Sequence, residues 1–119
     1  MATTISKIAL SGASNGLAVL VAATASEGTI IHTCASGTTT FDEVWLWAYN
    51  GHTANVTLTI QFGGVTTVTN DIKLDIPFKS GAFLVVPGLI LQNSLIVKAY
   101  AGTTNVIAIT GYVNRMTTP

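Results

Sequence analysis

Charge is what this sequence has least of. Only 8% of its 119 residues are Asp, Glu, Lys or Arg, five basic and five acidic, where soluble domains carry about 25%. The signs cancel to a formal net charge of +0, so no long-range field draws in nucleic acid or an anionic membrane. Cysteine is scarcer still in number. Cys34 stands alone, which excludes an intramolecular disulfide and the stapled secreted scaffolds that need several. It reads as a small buried hydrophobe. No apolar run reaches the roughly 18 residues of a membrane span. Lys7, the run from Leu17 to Ala25 and the triplet Ala23-Thr24-Ala25 loosely imitate a leader with its cleavage site. The turn chemistry of Ser11-Gly12-Ala13-Ser14-Asn15-Gly16 interrupts that pattern, and the segment reads as two strands and a turn.

Catalytic signatures are missing as well. The chain has no Gly-x-Ser-x-Gly elbow, phosphate loop or dinucleotide fingerprint. Its imidazoles are His32 and His52. His32 with Cys34 two residues on is the nearest approach to metal-ligand spacing, and two ligands do not make a site. Asp42 and Glu43 are adjacent, so on a strand they point to opposite faces and form a poor acid–base pair. These absences predict a protein that is not an enzyme and has no catalytic, cofactor or metal residues.

What the chain does have is threonine, 19 residues of it. Thr is β-branched and prefers extended backbone. Period-two patterning recurs, while long amphipathic helical patterning does not. Strands are expected over Ile5–Leu10, Leu17–Ala23, Thr29–Cys34, Val44–Tyr49, Val56–Phe62, Ala82–Val86 continuing into Leu89–Leu91, Leu95–Tyr100 and Val106–Val113. A short one is expected over Val65–Thr69. Asp71-Ile72-Lys73-Leu74-Asp75-Ile76 alternates charge with aliphatic and reads as a half-buried strand. About eight short strands at roughly ten-residue spacing predict one all-β domain spanning 1–119, an antiparallel β-sandwich or jelly roll.

The aromatic trio Trp45, Trp47 and Tyr49 shares one strand face. If Val44–Tyr49 and Val56–Phe62 form a hairpin around a four-residue loop, Tyr49 faces Val56, Trp47 faces Leu58 and Trp45 faces Ile60. That register puts the aromatics in the core. It leaves Val44, Leu46, Ala48, Thr57 and Thr59 outside as the candidate subunit contact. A five-residue loop inverts the register, and then the aromatics form a sugar-stacking platform or an aromatic subunit contact. So little charge promotes association, which suits a surface covered by other copies.

Four stretches have a shared phrasing: Glu43-Val44-Trp45-Leu46-Trp47, Val86-Pro87-Gly88-Leu89-Ile90-Leu91, Val97-Lys98-Ala99-Tyr100-Ala101 and Ile109-Thr110-Gly111-Tyr112-Val113-Asn114-Arg115. Together, over Asp42 to Met116, they resemble small structural proteins encoded in the virion gene clusters of tailed bacteriophages. The resemblance implies a non-enzymatic virion component. The form it favours is a decoration or cement protein on the capsid surface, a homo-oligomer (commonly a trimer) seated on the major capsid protein. A tail or head fibre component and a carbohydrate-binding β-sandwich module are the alternatives.

Overall fold

In the computed structural model, which describes residues 3–118, the chain folds into nine strands and one helical turn. The strands are β1 (Thr4–Ala9), β2 (Val19–Leu20), β3 (Thr29–Thr33), β4 (Thr40–Asn50), β5 (Val56–Phe62), β6 (Asp71–Ile76), β7 (Phe83–Gln92), β8 (Ile96–Ala101) and β9 (Ile107–Thr117). The single turn of helix, α1, covers Thr67–Asn70. Two antiparallel sheets form a sandwich. One has the order β1-β9-β4-β7, with β2 following β1 along the same side of β9. The other runs β3-β8-β5-β6. The all-β sandwich expected from the strand patterning is therefore what the chain forms.

Aliphatic side chains from both sheets meet in the core. Val44, Leu46 and Ala48 of β4, Leu58 and Ile60 of β5, and Ile107, Ile109 and Val113 of β9 are all 0% exposed. Gly111 belongs to the same layer. A Cβ there would lie 2.0 Å from the Trp45 carbonyl oxygen, so only glycine allows β9 to pass β4 at this point.

The expected hairpin does not form, and with it goes the expected outer face. β4 pairs with β7 and β9, and β5 pairs with β6 and β8, so the two strands lie in different sheets. Asn50 shapes the crossing. Its Nδ2 donates to the Ala54 and Ile76 carbonyls at 2.9 and 2.8 Å, and its Oδ1 accepts the His52 N–H at 2.8 Å. An amide that satisfies the backbone on three sides lets the loop arch from one sheet to the other without losing hydrogen bonds. Once β4 and β5 face each other across the sandwich, both turn their aliphatic rows inward. Val44, Leu46 and Ala48 are thus core residues, and Trp45, Trp47 and Tyr49 point outward. Thr59, flanked by Tyr100 and Lys73 on its neighbours, is only 2% exposed. Of the five subunit-contact candidates, Thr57 alone is open to water.

Two smaller expectations change. Val65–Thr69 gives a helical turn, because Asn70 accepts the Thr66 N–H through Oδ1 and donates to the Phe62 carbonyl, each at 3.1 Å. Such local side-chain bonds compete with a sheet ladder. In Leu17–Ala23 only Val19 and Leu20 join a sheet, although Val21 is fully buried.

Leu46→Ala is expected to destabilise the fold by about 2–5 kcal/mol, the usual range for a buried leucine. Thr57→Ala should cost less than about 1 kcal/mol. Urea unfolding measures both, and near-wild-type stability of Leu46→Ala would contradict the burial of this row.

Candidate functional site

The outer face of the larger sheet is the most distinctive surface of the molecule. It carries Phe41, Glu43, Trp45, Trp47 and Tyr49 from β4 and Tyr112, Asn114 and Met116 from β9, whose registers place them on one side. Exposed aliphatics flank them: Ile5 (64%) on β1, Leu20 (50%) on β2, and Leu84 (46%) and Ile90 (57%) on β7. Among the described residues, Lys7 and Glu43 are the two charges on this face.

Its rings are ordered against one another. Trp45 and Trp47 have centroids 6.3 Å apart and planes 19° from parallel, and Trp47 and Tyr112 follow at 6.1 Å and 29°. Lys7 Nζ sits 4.6 Å from the Tyr112 ring centroid, within cation–π range. The Trp45 indole N–H donates to Glu43 Oε1 at 2.7 Å, and Asn114 Nδ2 donates to the same oxygen at 3.0 Å. Donation from Asn114 and then Trp45 holds the Glu43 carboxyl below its ordinary range.

Gly88 explains how Trp45 lies. A Cβ at Gly88 would meet ring atoms Cζ2, Cε2 and Cη2 at 2.7, 2.9 and 3.2 Å. Three adjacent atoms at similar distances mean that the flat of the indole covers this glycine, leaving the opposite flat turned away from the sheet. The φ of +75° at Gly88 also belongs to a region where side chains are rare.

A second cluster lies inside the sandwich. His32 Nε2 and Asp42 Oδ2 are 2.7 Å apart, and both residues are almost fully buried, 1% and 0% exposed. The Ser11 N–H donates to His32 Nδ1 at 3.0 Å, so Nε2 carries the proton and donates to Asp42. Arg115 reaches Asp42 from β9, directly opposite on the ladder. Its Nε donates to Oδ1 at 2.8 Å and one terminal nitrogen donates to Oδ2 at 2.9 Å. Burial alone would raise the Asp42 carboxyl, but the Arg115 and His32 donors outweigh it and hold the group below its ordinary range. Cys34 completes the group, since donor atoms of His32, Cys34 and Asp42 lie within 4.8 Å of one another.

This trio has the composition of a metal centre or of a nucleophile with its base, but its chemistry is already committed. Both imidazole nitrogens are engaged, and the Asp42 oxygens face a guanidinium that would repel a cation. Burial, with help from the Asp42 charge, pushes the Cys34 thiol up to about 12, so it is not a thiolate near neutrality. The cluster is a structural lock that ties β3, β4 and β9 together. Sequence spacing singled out His32 and Cys34. Asp42 and Arg115 join them through tertiary structure, from 10 and 83 residues beyond His32 (42 − 32 and 115 − 32).

Two shallow apolar grooves share Leu95 at one end of the sandwich. One, of about 330 Å³, is lined by Phe41, Ile90, Leu91, Gln92 and Leu95. The other, of about 220 Å³, runs over Gly63, Gly64, Val65, Ser94, Leu95, Ile96 and Lys98. Neither is lined by His32 or His52.

No known protein family, curated protein or solved structure matches this chain.

Arg115→Met should cost about 3 kcal/mol, because it leaves a buried carboxylate without its counter-ion. Asp42 is held low in the folded chain, so its contribution is complete above its unfolded value of about 4 and fades as pH falls through the folded one. Wild-type stability should therefore decline below about pH 4. Arg115→Met, which leaves His32 as the main opponent of burial at Asp42, should flatten this acid limb. Unfolding midpoints across pH measure it, and identical limbs would show that the pair contributes nothing. Cys34 should remain unlabelled by a thiol reagent near pH 8 until the chain unfolds. Rapid native labelling would show the thiol is accessible.

Proposed function

We propose that this chain is a structural component of a tailed-phage particle, a decoration or cement protein that sits on the capsid surface and strengthens it by adhesion. The observation that carries the reading is the broad aromatic and aliphatic outer face of the larger sheet. Three of the four stretches that resemble phage virion proteins build that face: Glu43 to Trp47 on β4, Val86 to Leu91 on β7, and Ile109 to Arg115 on β9. Low charge supports the same reading. A surface destined to be covered gains little from charges that must then be desolvated.

The mechanism follows from burial. Apolar area removed from water contributes roughly 25 cal/mol per Å², and flat aromatic rings cover area with little conformational entropy to lose. A specific stable contact needs about 1,200–2,000 Å² in total, within reach of a four-stranded face together with the grooves around Leu95. Many copies across the joints between capsomers would add modest contacts that oppose expansion and internal pressure.

The outward flat of Trp45, with Glu43 and Asn114 at its rim, also favours a second reading, a platform that stacks the apolar face of a sugar ring.

Particles assembled without the protein should form but rupture at lower temperature, or on milder osmotic shock, than particles that carry it. Trp45→Ala/Trp47→Ala should lower occupancy on added-back particles by at least tenfold. Equal robustness with and without the protein overturns the cement role. Tryptophan fluorescence that responds to added glycan, but not to capsids, supports the sugar platform instead.

A further inference from the structure

The partner of the aromatic face can be read from how its side chains are arranged in rows across the sheet. β9 runs through the middle of this face, with β1 and β2 on one side and β4 on the other. The ladders therefore align residues three abreast. Ile5, Met116 and Phe41 form one row, and Lys7, Asn114 and Glu43 form the next. Then come Ala9, Tyr112 and Trp45, a two-membered row of Thr110 and Trp47 level with the break between β1 and β2, and finally Leu20, Ala108 and Tyr49.

In each of the four three-membered rows the two outer members are complementary. Lys7 balances Glu43, the small Ala9 balances the broad Trp45, and the exposed aliphatics Ile5 and Leu20 balance Phe41 and Tyr49. Within one chain the central strand keeps the outer members apart: Lys7 rests over the Tyr112 ring and Glu43 accepts from Trp45 and Asn114, so the two charges do not meet each other. A two-fold axis lying in the contact plane along β9 would satisfy it. That rotation exchanges left and right while keeping each row level.

We infer that the outer face of β1, β9 and β4 binds a second copy of this chain through a two-fold axis along β9, with Lys7 of each copy against Glu43 of the other. The inference rests on the reading of this face as an assembly surface: it gives the β1, β9 and β4 part to a second copy and leaves β7, with exposed Leu84 and Ile90, to the capsid. Reciprocity of this kind is what an isologous contact requires, whereas a foreign partner would need no matching between β1 and β4. Stacked sheets cross at about 30°, and the charged and Ala9–Trp45 rows lie near the middle of the strands, where that rotation displaces them least. Three strands about 4.8 Å apart and up to 11 residues long present about 500 Å² in projection. Their corrugated accessible surface is larger and brings two copies near the lower end of the ~1,200–2,000 Å² of a specific interface. Two such pairs of charges also select this axis, since an in-plane two-fold running across the strands would set Lys7 over Lys7 and Glu43 over Glu43.

Sedimentation velocity on the purified chain tests this. The wild type should form a dimer. Lys7→Glu and Glu43→Lys should each weaken self-association at least tenfold, because each opposes like charges twice. An equimolar mixture of the two should recover a heterodimer of near-wild-type affinity, since every contact then has opposite signs. Ala9→Arg, at an exposed position, should abolish the dimer while circular dichroism and thermal unfolding remain as in the wild type. A monomeric or trimeric wild type overturns the inference, as does undiminished association of both charge variants. Failure of the folded variants to recover on mixing also overturns it. A wild-type monomer that still binds and stabilises capsids would defeat this pairing alone. A dimer with no effect on particles would leave the pairing standing and defeat the virion reading.

Discussion

Asp42 and Arg115 face each other across the β4–β9 ladder, and their bidentate ion pair lies on the inner side of the sheet. Because side chains alternate along a strand, this one pair sets the parity of two strands at once. With Asp42 inward, Val44, Leu46 and Ala48 must follow it into the core, and Glu43, Trp45 and Trp47 must face out. A slip of one residue would strand a carboxylate and a guanidinium at the surface while forcing Glu43 and two indoles into a space filled by smaller aliphatics. The aliphatic row supplies most of the burial energy, and the fully buried Asp42 carboxylate, paired with a half-buried Arg115, makes the alternative parity costly. His32 Nε2 and the Ala35 backbone amide also donate to Asp42, while the Ser11 amide donates to His32 Nδ1 and fixes its tautomer, so the buried charge is well partnered.

The aromatic face is a consequence of that parity. An indole in a core must find a partner for its N–H, whereas at the surface Trp45 uses the neighbouring Glu43 and lays its ring on Gly88. The result is a sheet whose inner side is aliphatic and whose outer side is aromatic. Water is then a poor neighbour for both sides. The smaller sheet differs: its edge strand β6 alternates Asp71, Lys73 and Asp75, charges of the kind that discourage edge pairing. A charged edge on one sheet and an apolar outer face on the other make the two sides of the molecule unlike.

Much of the fold was legible in the residue order. Val56–Phe62 and Asp71–Ile76 are strands at the bounds their patterning implies, and the bend at Pro87-Gly88 sits inside β7. These segments are strongly periodic and their neighbours are turn formers, so local preference and tertiary position agree. The hairpin was not legible. Val44–Tyr49 and Val56–Phe62 flank a cluster of turn residues that suits a hairpin and a sheet-to-sheet arch equally well. What separates the two is the Asn50 amide reaching Ile76, 26 residues along the chain. The buried lock was half legible, since His32 and Cys34 share a strand segment but Asp42 and Arg115 arrive from other strands.

The sequence by itself determined the fold class: a charge-poor all-β chain, with a lone cysteine and an aromatic strip at period two. It also determined that Asp42 and Glu43 must part company, because neighbours on a strand cannot share a face. Only the tertiary structure decided which of the two goes inside and therefore whether the tryptophans are core or surface. The physical reason is that period-two patterning defines two faces without labelling them. The label comes from which sheet each strand joins, and that is set by contacts between residues far apart in the chain.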